Sequence, residues 1–330
     1  MLNVTDMNSN GIAVAGSILV DEINNVLSYP SAGELEQIIS VSKAVGGCVP
    51  NVAIDLKKLS PNLPVFAMGK ISDDENGKFV ISTLKGNGIN TDAVTVIKGE
   101  RTSFTRVISV SGGQRTFFTY PGTSSLLGLE DISFEYFKPK ILHLGYFLLL
   151  QKIDAGDGLK VLKKAKDLCI ETSIDLVSEN SDRYGLILPC LPYVDYLIIN
   201  ELEAGRLTNI KPDLINIPMI AEKLKKMGVQ KKVIIHFKEG SLCCSDNGLV
   251  YLASMKLPKD YIKGTTGAGD AFCAGALLGI YKGLSDTEIL DLGTCTATAA
   301  LGTYDAVSGV ETENSVIKLC KEFERNQLCL

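Results

Sequence analysis

Residues 263 to 274 read KGTTGAGDAFCA: small and hydroxylated residues leading to one carboxylate and then an apolar stretch. The run from Asp270 to Tyr281 predicts a helix that packs closely through Gly275, Ala276 and Gly279, with Lys282-Gly283 as its stop. Amides at a helix start have no partner inside the helix, and the helix dipole adds partial positive charge there. Gly267, Ala268 and Gly269 carry little bulk, so an anionic group can come close to those amides. In physical terms this is a phosphate cradle. Asp270 at its mouth is placed to take a proton from an attacking hydroxyl, worth about 10²–10⁴ in rate for a positioned base. The plainer alternative is a tight turn in which Asp270 only caps the helix.

Bulk composition narrows the classes. With 330 residues, 45% of them apolar and 22% charged, the chain has the composition of an ordinary globular protein. A chain of this length buries about three quarters of its unfolded surface and needs no metal or disulfide staple. Net charge is −5, and no run of lysine or arginine exceeds two, which argues against nucleic acid as a partner. Nine cysteines form no C-x-x-C pair, and MLNVTDMNSN carries no signal-peptide pattern, so reduced thiols in a cytoplasmic protein are expected. The longest apolar run, ILHLGYFLLL, is half a membrane span, so no membrane partner is expected. No G-x-x-x-x-G-K-[ST] occurs, and IAVAGSILVD offers a single glycine, which sets aside both the Walker loop and the dinucleotide fingerprint.

Short apolar runs recur at 12–16, 65–69, 141–145, 172–176, 195–200 and 232–237, with helical patterns between them. Runs apolar on both faces suit strands covered by helices on each side, so the fold class is α/β with a doubly wound, mostly parallel sheet. Residues 101–122 break this pattern. They alternate as a hairpin turning at Ser111-Gly112-Gly113-Gln114, and the segment from about Asp21 to Ser42 is strand-like too. Together these predict a small β-sheet that could act as a lid.

K-G-T-T-G-A-G-D-A-F resembles the C-terminal signature of the ribokinase, or PfkB, family of carbohydrate kinases. Gly46-Gly47-Cys48-Val49-Pro50-Asn51 resembles that family's N-terminal G-G-x-x-x-N signature. The resemblance implies one kinase domain over residues 1–330, with a lid from about 20–45 and 98–122 inserted in the α/β core. It implies an ATP-dependent kinase that phosphorylates a primary hydroxyl of a small sugar, using Mg²⁺. By the same resemblance Asp270 is the base, and the amides of Gly267, Ala268 and Gly269 hold the transferring phosphate. Asp21, Gly46, Gly47 and Asn51 are implied as sugar contacts. On residue type alone Asn51 could equally cap the helix that follows. Asn200 and Glu203 match the family's N-x-x-E motif, in which Glu203 holds magnesium through water, although the same spacing is a capping box. Lys238, Gly240, Thr265 and Thr266 align with the nucleotide contacts.

Departures sharpen this reading. Gly264 stands where the family has an aspartate tied to a monovalent-cation loop, which argues against potassium activation. Leu19 stands where ribokinases place an asparagine, and the P-N-V-A that follows the glycine pair is closer to fructokinases. A fructose-like sugar is therefore expected ahead of ribose. A nucleoside kinase is the alternative within the family, and a catalytically idle sugar or nucleotide sensor the alternative outside it. In the hairpin, Arg106 is expected nearer the cleft than Arg115, able to pair with an anionic group on the substrate. His143 and His236 each end or lie in a buried strand and are assigned no chemistry. The apolar face of so small a hairpin needs a partner, which points to a homodimer through the lid.

Overall fold

The computed structural model describes residues 10–110, 115–134, 137–179 and 181–327. The expected hairpin turn at Ser111–Gln114 lies outside the described residues. All six apolar runs form strands of one nine-stranded sheet: β1 (Ile12–Ala15), β4 (Val65–Ser72), β8 (Ile141–Phe147), β9 (Glu171–Leu176), β10 (Tyr196–Asn200) and β11 (Lys232–Phe237). They run parallel, joined by β5 (Asn90–Ile97), in the order β11-β10-β9-β8-β1-β4-β5. Strands β12 (Gly240–Ser245) and β13 (Gly248–Ala253) extend one edge antiparallel.

The alternation within a strand explains why the runs are apolar throughout. In β1, Ile12 and Val14 enter a core with helices α1 (Cys48–Leu59), α2 (Glu75–Gly86), α6 (Ala268–Lys282) and α7 (Asp286–Leu301), while Ala13 and Ala15 enter the core on the opposite face. That second core holds α3 (Gly158–Asp167), α4 (Glu201–Thr208) and α5 (Ile217–Lys226). Burying each large apolar side chain stabilises by about 1.5–3 kcal/mol, so a doubly covered strand tolerates no polar position without a reason.

A separate four-stranded sheet has the order β3-β2-β6-β7, from β2 (Leu19–Val26), β3 (Ile38–Gly46), β6 (Ser103–Val110) and β7 (Arg115–Tyr120). Its strands leave the core between β1 and α1 and again after β5. Phe104 and Tyr120 are cross-strand partners whose rings stack at 5.3 Å, as expected for a hairpin pair. Among the described residues, no helix is long and apolar enough to cross a membrane.

Candidate active site

The carboxyl ends of β8, β9, β10 and β11 meet the start of α6, the place where open α/β sheets bind ligands. Helix α6 begins after Gly267, whose φ of 80° lies in the left-handed region. A Cβ there would sit 2.4 Å from that of Ala306, so this turn admits only glycine. Gly267 itself is the N-cap and no side chain caps α6, so the capping role considered for Asp270 is not the one it has. Among the described residues the amides of Gly267 and Gly269 have no acceptor, whereas that of Ala268 closes the turn on the Thr265 carbonyl at 3.3 Å.

Asp270 is 6% exposed, and its Oδ2 accepts from Asn51 Nδ2 at 2.8 Å and from the Tyr146 hydroxyl at 3.0 Å. Burial, reinforced by the Asp175 carboxylate, pushes its pKa up to about 6 against the pull of these two donors. Asp21 is likewise raised to about 6, by burial first and by Asp270 second. Asn51 lies inside the first turn of α1, which is capped by Gly47. It therefore does not serve as the helix cap; its side chain spans 219 residues of sequence to hold Asp270. Its Oδ1 is buried and has no partner among the described residues. Gly46 makes room for Asp21, since a Cβ at 46 would lie 2.6 Å from the Asp21 carboxylate.

Asn200 and Glu203 form the reciprocal cap in full: Asn200 Oδ1 accepts from the Glu203 amide at 2.9 Å, and Glu203 Oε2 from the Asn200 amide at 3.1 Å. Ser178 donates to the other Glu203 oxygen at 2.8 Å. The capping box is real, yet both residues also line a cavity of about 190 Å³ with Asp270, Gly267 and Gly269. Burial raises Glu203 to about 8.

Three expected contacts are not brought to this centre. In the parallel pairing of β2 with β6, Asp21 faces Thr105 and Glu22 faces Arg106, so Arg106 lies on the sheet face away from Asp21. It pairs there with Glu22 at 3.4 Å, with 64% of its side chain exposed. Arg115, expected farther from the cleft than Arg106, is the arginine that reaches the glycine-turn side, at the Thr266 hydroxyl (3.2 Å) and the Tyr304 carbonyl (3.4 Å). Lys238 and Gly240 sit at the turn between β11 and β12 and line neither this cavity nor the larger one, of about 1440 Å³, between the small sheet and Gly264, Thr265 and Thr266.

Sequence reasoning missed Tyr146 and Asp175. Tyr146 has φ 60°, rare for a bulky residue, at a register break between β8 and β9. Asp175 Oδ1 accepts from its amide and so holds the kink in place. The available signal was an aspartate inside the otherwise apolar run TSIDL. His236, also in the cavity wall, is pushed down to about 4 by burial and is a neutral ring lying tilted against Phe272 at 4.9 Å.

A family model, pfkB family carbohydrate kinase, matches residues 9–313. The chain is 24% identical over 322 residues to a ribokinase of Arabidopsis thaliana, covering 97% of this chain and 83% of the relative. It is 27% identical over 279 residues to a protein named probable fructokinase-6, chloroplastic, of the same plant, covering 82% and 70%. Its fold matches the structure of Arabidopsis thaliana ribokinase complexed with ribose and ATP, with a TM-score of 0.80 at 23% identity over 95% of this chain and 99% of that one.

The two donors on Oδ2 stabilise the charged form of Asp270, so removing one raises its proton affinity further. In carbon-13 NMR of labelled aspartate carboxyls, assigned by loss of the signal in Asp270→Asn, the wild-type midpoint is expected near pH 6. In Tyr146→Phe it moves to higher pH. An unchanged or lower midpoint in that variant contradicts the assigned hydrogen bond.

Proposed function

The chain belongs to the pfkB family of carbohydrate kinases and is a phosphotransferase acting on a sugar hydroxyl, and from that premise we propose ATP-dependent transfer of the γ-phosphate to a primary hydroxyl of a small, fructose-like sugar. One observation carries the reading: Asn51 and Asp270, from signatures at opposite ends of the chain, meet at 2.8 Å, with Asp270 in the wall of a cavity. The acceptor lies against Asp21, Gly46, Gly47 and Asn51, where the unpartnered Oδ1 of Asn51 takes a sugar hydroxyl as donor. Leu19, buried beside Gly46, offers no hydrogen bond where a ribose-specific site would need one. The relative solved in complex with ribose and ATP supports ATP as the donor.

Asp270, ionised above about pH 6, takes the proton of the primary hydroxyl. The hydroxyl oxygen forms a bond to the γ-phosphorus, and the bond from that phosphorus to the β–γ bridging oxygen breaks, its electron pair leaving with ADP. Amides of Gly267 and Gly269 donate to the phosphoryl oxygens, with Ala268 contributing if its long turn bond yields; each well-aimed donor is worth about 3–4 kcal/mol. Thr265 and Thr266 hold the phosphates from the side. Magnesium suits the oxygen donors around Glu203 and Asn200. Glu203 would hold it through water, because both its carboxylate oxygens already accept hydrogen bonds. Bound there, it neutralises phosphate charge. Cytoplasmic residence is part of the same reading, supported by eight free cysteines among the described residues.

The small sheet is read as the lid, over about 20–45 and 98–122 within a single kinase domain. Its outer face carries Val41, Phe118 and Tyr120 at 69%, 62% and 41% exposure, and a second copy of the chain is the proposed cover. Sedimentation at micromolar concentration should show a species near twice 35.5 kDa, and a fully active species of 35.5 kDa alone contradicts a lid dimer.

Asp270→Asn is expected to keep fold and nucleotide binding but lose at least about a hundredfold in turnover. Near-normal ADP release by this variant removes Asp270 as the base. With Gly264 in place of a carboxylate, wild-type rates in sodium and potassium buffers are expected to agree, and many-fold activation by potassium overturns that expectation.

A further inference from the structure

Beside the Asp270 cavity three side chains come together: His143 of β8, which is fully buried, and Asp175 of β9 and Cys273 of α6, which line the cavity. His143 Nε2 lies 3.4 Å from Asp175 Oδ2 and 3.6 Å from Cys273 Sγ, and the three atoms all fall within 4.8 Å of one another. Tetrahedral zinc, with bonds of about 2.0–2.1 Å to nitrogen, about 2.0–2.2 Å to oxygen and about 2.3 Å to sulfur, sets N···O and N···S edges of about 3.4 Å and about 3.6 Å. Both edges from His143 stand at that spacing.

The groups behind these atoms favour the same reading. His143 Nδ1 lies 3.1 Å from the Ser173 hydroxyl, which can accept its hydrogen and leave the Nε2 lone pair free. Asp175 Oδ1 is occupied by the Tyr146 amide, which fixes the carboxylate with Oδ2 toward His143. Asp175 and Cys273 both line the cavity, so a fourth coordination position opens onto it for water. Imidazole, carboxylate and thiolate together select a borderline-soft cation over magnesium.

We propose that His143, Asp175 and Cys273 form a binding site for a thiophilic divalent cation, Zn²⁺ foremost. On binding, the Cys273 thiol releases its proton to solvent and forms the sulfur–metal bond, while His143 and Asp175 supply lone pairs. This inference rests on these three side chains and not on the kinase reading, so either can fail alone.

The test is zinc-edge X-ray absorption on the full chain with one equivalent of Zn²⁺. One sulfur at about 2.3 Å with nitrogen or oxygen neighbours at about 2.0–2.2 Å supports the site. A shell without sulfur, or with two or more sulfurs, overturns it. Cobalt gives an independent readout that needs no activity. Co²⁺ alone added to wild type is expected to give a thiolate-to-cobalt charge-transfer band, which Cys273→Ala abolishes. A band that survives in Cys273→Ala, or no band in wild type, overturns the proposal.

Discussion

A carboxylate that is buried yet still ionises near neutral pH sets the terms for the rest of this molecule. Taking Asp270 out of water disfavours its charged form, and the neighbouring carboxylate of Asp175 adds to that cost. Two donors, Asn51 and Tyr146, offset part of it, and the balance leaves the group near 6. A solvated aspartate near 4 is a weak base, whereas one near 6 is ionised at neutral pH and still binds a proton usefully. The two donors come from α1 and from the end of β8, so three distant parts of the chain must converge before Asp270 has this property.

Convergence of that kind needs a stiff support. The sheet is covered on both faces by continuous apolar cores, which hold the carboxyl ends of β8, β9, β10 and β11 in fixed relation. Local strain is concentrated where those ends meet. Tyr146 in a left-handed backbone costs on the order of 1–3 kcal/mol, and the Asp175 contact to its amide helps hold it there. The kink turns the tyrosine hydroxyl onto Asp270. The fold stores this strain at the site because the surrounding packing over-determines it.

Much of the architecture was legible because doubly buried strands leave an unmistakable trace: continuous apolar runs such as IAVA, ILHL and YLIIN all became central strands. The small sheet was legible from alternation, since one of its faces is half wet. Asp270 and the glycine turn were legible because few sequences place small residues and a carboxylate at a helix start without need. What stayed hidden depends on contacts across the fold. The sequence put Arg106 nearer the cleft than Arg115, and only the strand pairing, Glu22 with Arg106 and Ser109 with Arg115, shows that Arg106 lies on the face away from Asp21. Asn51 reads as a cap by type, yet Gly47 with its own backbone geometry starts the helix and frees the amide for Asp270. Tyr146 was invisible because a bulky residue in a left-handed conformation has no local sequence signature.

The central claim is that this assembled carboxylate serves phosphoryl transfer from ATP to a sugar. ADP release measured with ATP, magnesium and a panel of ketohexoses, pentoses, sugar acids and nucleosides tests it most directly. The account predicts saturable, acceptor-dependent ADP release with a fructose-like sugar, lost with the analogue that lacks its primary hydroxyl. ADP release that no member of the panel raises above the acceptor-free rate would contradict it.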